Sequence, residues 1–73
     1  MEIRSDMPGV QFYSGNDLTV QKGKNGALYY PHSGFVLETQ YYPNSINIQG
    51  FLPCILRKGI PWNSKTVYRF YNI

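Results

Sequence analysis

The chain has 73 residues, with seven Lys and Arg against four Asp and Glu and a net charge of +3. That length allows one domain at most, and a folded chain of this size buries only about 60% of its unfolded surface. Cys54 is the only cysteine and His32 the only histidine, which excludes an internal disulfide and a four-ligand structural zinc site. Stability therefore requires a good core or a second chain.

The positive charges are scattered, which favours solubility and weak polyanion attraction but says nothing about fold. Glu2, Arg4 and Asp6 crowd the first residues with no apolar run after them, unlike a signal peptide. No apolar stretch reaches the 18 residues of a membrane-spanning helix. A lone thiol fits a reducing compartment, so the expected location is cytoplasmic. Seven Tyr and four Phe favour strands and also suit stacking on sugars or bases.

In chain order, Glu2 to Ser5 reads as a short strand, broken by Met7-Pro8-Gly9. Val10-Gln11-Phe12-Tyr13 is the next, with Val10 and Phe12 on one face and Gln11 and Tyr13 on the other. Ser14-Gly15-Asn16-Asp17 is a turn cluster. Leu18 to Val20 is too short to assign. Gln21 to Ala27 reads as a polar surface loop; Gly23 and Gly26 lack the Gly-Lys-Ser/Thr ending of a phosphate loop. Leu28-Tyr29-Tyr30 is a short strand closed by Pro31.

His32-Ser33-Gly34-Phe35-Val36-Leu37-Glu38-Thr39-Gln40 reads as a strand entered through a Ser-Gly turn. Phe35, Leu37 and Thr39 share one face; Val36, Glu38 and Gln40 share the other. A Pro43-Asn44-Ser45 turn follows. Cys54-Ile55-Leu56-Arg57 reads as a mostly apolar strand, and Lys58-Gly59-Ile60-Pro61 turns again. Lys65 to Tyr71 alternates most clearly, with Thr66, Tyr68 and Phe70 on one face. No window shows a sustained 3.6-residue period, and turn signals recur every 8–12 residues or so, the spacing of a sandwich or barrel. The expected class is all-β, with at least four strands.

The chemistry narrows to few groups. Glu38 lies mid-strand, where a carboxylate is either a structural hydrogen-bond partner or a working acid/base, since an unpaired buried charge is very costly. Glycoside hydrolysis needs two carboxylates across the scissile bond, and Glu2, Asp6 and Asp17 lie in terminal or turn segments. His32 and Ser33 are neighbours and point apart in an extended chain, so they make no nucleophilic pair. His32 is the one side chain that titrates near pH 7, and the plain alternative is that it hydrogen-bonds a turn. Cys54 reads as core. Basic residues interleaved with Tyr and Phe resemble a nucleic-acid stacking platform in type, but without clustering or an RNP-like motif, and no nucleic-acid partner is expected.

Two blocks carry a family resemblance. They are Pro8-Gly9-Val10-Gln11-Phe12-Tyr13-Ser14-Gly15-Asn16 and His32-Ser33-Gly34-Phe35-Val36-Leu37-Glu38-Thr39-Gln40, the second followed by Tyr42-Pro43 and Asn47. Weaker agreement runs through Phe51, Pro53, Leu56-Arg57 and Gly59 to Thr66-Val67-Tyr68-Arg69-Phe70. In these the chain resembles the C-terminal part of aldose 1-epimerases (galactose mutarotases). The resemblance implies a large β-sandwich, of which residues 1–73 are the C-terminal strands, with a hexose such as galactose or glucose in a cleft on one sheet.

It also implies roles. Glu38 matches the family's general base, which takes the C1 hydroxyl proton, and Gln11 matches a substrate-binding glutamine. A histidine acid then protonates the ring oxygen; the ring opens, the C1–C2 bond rotates, and reclosure gives the other anomer. No metal or cofactor takes part. The acid histidine, a second histidine, an arginine and an aspartate that bind sugar lie upstream in the family and are absent here. His32 matches a residue beside the strand and not the acid. Asn44 stands where Asp is common, Lys58 for Pro and Ile60 for Glu, all in turns. Glu2-Ile3-Arg4 aligns with a strand interior to the family fold. The expectation is thus a fragment, a truncated frame or one piece of a split enzyme, inactive without the missing N-terminal part. The alternative is a non-catalytic carbohydrate-binding or relic module.

Overall fold

The computed structural model describes residues 1–73. Six strands form, β1 Glu2–Ser5, β2 Gly9–Tyr13, β3 Gln21–Lys22, β4 Leu28–Tyr29, β5 Val36–Gln40 and β6 Thr66–Arg69, with 3-10 turns at Lys24–Gly26 and Ser45–Asn47 and no α-helix. The chain is all-β, as its alternation predicts. The strands make three antiparallel pairs, β1–β6, β2–β5 and β3–β4, with no larger sheet.

Strands β1, β2, β5 and β6 fall where residue alternation places them. The pair β3–β4 is a partial correction. Leu28–Tyr29 is the expected strand, but its partner Gln21–Lys22 lies inside the segment read as loop. Gly23 N–H closes the connection by donating to the Ala27 carbonyl at 2.7 Å. Two residues are too few to show a period, so nothing in the sequence marks β3. The apolar run Cys54–Arg57 is a second correction. It finds no strand to pair with, and Cys54 is exposed rather than core.

No apolar side chain is buried; the two buried residues are Gly15 and Ser45. Val10, Phe12 and Phe35 are each more than half exposed. The radius of gyration is 16.8 Å, against about 11 Å for a compact chain of this length. There are 23 backbone–backbone hydrogen bonds, where a globular chain of this size makes about 50. Strand edges and apolar faces are both left open, because each sheet stops at two strands.

The β1–β6 and β2–β5 pairs meet through hydroxyls. Thr66 Oγ1 lies 3.0 Å from Ser5 Oγ and 2.9 Å from Thr39 Oγ1, which ties β6 to both β1 and β5. Between the pairs runs a groove of about 340 Å³ lined by Ile3, Met7, Val10 and Leu37.

The end of the β1–β6 pair is closed by Asp6. Its carboxylate accepts from Lys65 N–H at 3.1 Å and from Ser64 Oγ–H at 2.9 Å. Donation from the Lys65 amide, then from Ser64, holds Asp6 below its ordinary value of 3.8. A depressed carboxyl stabilises the fold above its unfolded value, and that contribution disappears as pH falls through the folded value. The Lys65 amide signal is therefore expected to titrate with a midpoint below 3.8, and Asp6→Asn to abolish the titration. A midpoint at or above that value would show that the clamp is open in solution.

Candidate functional site

Alternation on β2 and β5 sorts their residues into two faces. Cross-strand partners are Gly9 with Gln40, Val10 with Thr39, Gln11 with Glu38, Phe12 with Leu37 and Tyr13 with Val36. One face therefore carries Val10, Phe12, Leu37 and Thr39, extended by Phe35, whose ring centre lies 6.1 Å from that of Phe12. The other carries Gln11 and Glu38 directly opposite one another, with Cβ atoms at the roughly 5 Å usual for such partners. Residues 27 positions apart in sequence are thus brought side by side by the ladder.

Glu38 is exposed, and its carboxylate makes neither a hydrogen bond nor an ion pair within the chain. Of the two alternatives for Glu38, that of a structural hydrogen-bond partner finds no partner within the chain. No second layer covers that face, so nothing desolvates the group. Gln11 is exposed beside it. The two other carboxylates near strands are already occupied: Glu2 pairs with Arg4 and, at 3.8 Å, with Arg69, and Asp6 holds the β6 approach.

Aromatic rings flank the Gln11–Glu38 pair. Tyr42 lies over Gly9 so closely that a Cβ on Gly9 would stand 2.6 Å from its Cε1. Since a Gly9 Cβ would point to the Gln11 side, Tyr42 closes one end of that face, backed by Phe51 with ring centres 5.0 Å apart. At the other end Tyr13 accepts the Asp17 N–H on its hydroxyl at 3.0 Å. Sequence reading passed over Tyr42 as a wall of this face; the small residue at Gly9 was the available signal.

His32 lies apart from this pair, at a turn. Its Nδ1 donates to the Ser14 carbonyl at 3.1 Å and its backbone N–H to the Gly15 carbonyl at 2.9 Å. The plain alternative, a turn hydrogen bond, is what the structure has, though the partner is 18 residues away. Gly15 has φ +75°, and a Cβ there would lie 2.3 Å from the Gly34 carbonyl oxygen. A left-handed L-residue costs about 1–2 kcal/mol before any collision. Gly15→Ala should therefore reduce the paired β2–β5 population about five- to thirtyfold. Cross-strand nuclear Overhauser effects between Gln11 and Glu38 measure this, and their persistence at full strength would show that the Gly15–Gly34 approach does not hold the strands.

Chemically, an exposed carboxylate opposite a carboxamide can accept a proton from one hydroxyl of a ligand while the amide bonds another. No group of three His, Cys, Asp or Glu gathers to hold a metal ion. No helix is long and apolar enough to cross a membrane.

Comparison with known proteins adds a family. The family model described as aldose 1-epimerase matches residues 1–69. Galactose mutarotase of Mus musculus is 49% identical over 71 residues, covering 96% of this chain and 21% of that protein. Galactose mutarotase of Homo sapiens is 48% identical with the same coverage. Aldose 1-epimerase of Escherichia coli (strain K12) is 32% identical over 72 residues, again 96% of this chain and 21% of that one. The chain spans about a fifth of the length of these relatives. No solved structure matches it.

Proposed function

This chain belongs to the aldose 1-epimerase family, and from that premise we propose that it supplies the general base and C-terminal strands of an enzyme that interconverts α and β anomers of hexoses such as galactose and glucose. Glu38 takes the proton from the C1 hydroxyl. Gln11 bonds a neighbouring hydroxyl and fixes the pyranose against the β2–β5 face. A histidine from outside this chain protonates the ring oxygen; the ring opens, the C1–C2 bond turns and the ring recloses. The observation that supports this reading is the register that sets Gln11 opposite Glu38 on one open face.

One carboxylate suffices for such a reaction, because proton removal and proton delivery are separate tasks for two groups. His32 is committed to the Ser14 carbonyl and is not assigned the acid role. We read residues 1–73 as one segment of a larger sandwich whose remaining strands cover the exposed Val10, Phe12 and Phe35 face and supply the acid. In isolation the chain is inactive.

The test adds to this chain the part of the mouse relative that it does not match, and follows the optical rotation of fresh α-galactose. Mutarotation above the spontaneous rate supports the reading. Sugar binding without acceleration would instead favour a non-catalytic carbohydrate-binding module.

A further inference from the structure

Register between β2 and β5 decides whether Gln11 faces Glu38 at all. A slip of one residue would carry Glu38 to the opposite face, since side chains alternate with a period of two. Register is strongly specified where one face of a strand is buried and weakly where neither is. Within residues 1–73, before any covering strands are added, neither is: Val10 and Phe12 are exposed on one side, Gln11 and Glu38 on the other. A tight turn would also set it, but residues 14–35 separate the two strands. Until a covering layer is in place, the alignment must come from elsewhere.

We infer that His32 is a positioning residue that sets this register by tying the exit of β2 to the entry of β5, an inference that rests on Gln11 and Glu38 being the sugar-handling pair. Ser14 is the first residue after β2, and its carbonyl accepts His32 Nδ1–H at 3.1 Å. Gly15, the next, accepts His32 N–H at 2.9 Å. Two bonds from one residue fix direction as well as distance. The donor is itself held. His32 has φ +65°, a left-handed conformation uncommon for residues other than glycine. The turn around it is closed by Ser33 N–H to the Tyr30 carbonyl at 2.9 Å and by Tyr30 N–H to Ser33 Oγ at 2.8 Å. From this locked turn only residues 33–35 lead to Val36, too few to take up a one-residue slip without breaking the close approach of Gly34 to Gly15.

Trapping with a short thiol-bridging reagent reads the population of each register and needs no cooperative unfolding transition. In a Cys54→Ser chain, Gln11→Cys is paired with Glu38→Cys, and in separate chains with Leu37→Cys or Thr39→Cys. With His32 in place, the Gln11–Glu38 pair should bridge at least fivefold more than either staggered pair. His32→Ala should bring that ratio close to one. His32→Asn should keep it within twofold, because Asn tolerates the left-handed conformation and its amide can donate to the Ser14 carbonyl. A control pair on the other sheet, Ile3→Cys with Tyr68→Cys, should be unaffected by His32→Ala. An unchanged ratio in His32→Ala, an equal loss at the control pair, or no in-register preference with His32 present overturns the inference. If Glu38 instead proves dispensable for mutarotation, the trapping result stands and only the purpose of the register is lost.

Discussion

Glu38→Gln is expected to lower the mutarotation rate of the complemented protein by about 10²–10⁴-fold, the contribution of a single general base. Gln is nearly isosteric with Glu but cannot take a proton. The side chain is exposed and makes no bond within the chain, so the change leaves the β2–β5 ladder undisturbed. Exposed substitutions of this kind usually stay within about 0.5 kcal/mol of neutral. The loss should therefore appear in kcat with KM little altered, the pattern of an interaction made in the transition state. Gln11→Ala should do the reverse in emphasis and raise KM, because its amide positions the sugar. Polarimetry at several galactose concentrations separates the two. An unaltered rate in Glu38→Gln would remove the base from Glu38 and with it the proposed role of this chain.

The second large effect concerns stability. The isolated chain is expected to show no cooperative urea transition, while the complemented protein shows one with a slope of at least about 1 kcal/mol/M. Burial of apolar surface is the dominant favourable term in folding, and here no apolar side chain is buried. What holds the chain is hydrogen bonding: three two-stranded pairs, the Ser5–Thr66–Thr39 hydroxyls, the Asp6 clamp and the His32 tie. Surface ion pairs such as Glu2–Arg69 add little. Exposed Val10, Phe12, Phe35 and the open strand edges also make the chain prone to self-association. A sigmoidal, concentration-independent transition from the chain alone, with a slope in the domain range, would show a self-sufficient module and defeat the segment reading.

Much of this was legible in the residues. Two-residue alternation located β1, β2, β5 and β6, and it put Gln11 on the face opposite Val10 and Phe12 and Glu38 on the face opposite Phe35 and Leu37. Asn44-Ser45 marked the 3-10 turn at Ser45–Asn47, where Asn44 takes φ +59°. The failures share one cause. Cys54–Arg57 has strand composition but no partner, and Gln21–Lys22 has a partner but no strand composition. A strand is completed by the chain that bonds to it, which a local pattern does not contain. The two alternatives for Glu38 stayed open for a similar reason, because burial belongs to the layer above a residue.

The sequence by itself determined the class, the strand faces, the family and the one carboxylate placed mid-strand away from the termini and turns, since each depends on residues within a few positions of one another or on their order. Only the tertiary structure decided that Gln11 stands opposite Glu38, that Tyr42 closes the end of their face, and that His32 reaches back to Ser14. These are contacts between segments far apart in the chain, settled by hydrogen-bond register and backbone conformation rather than by composition.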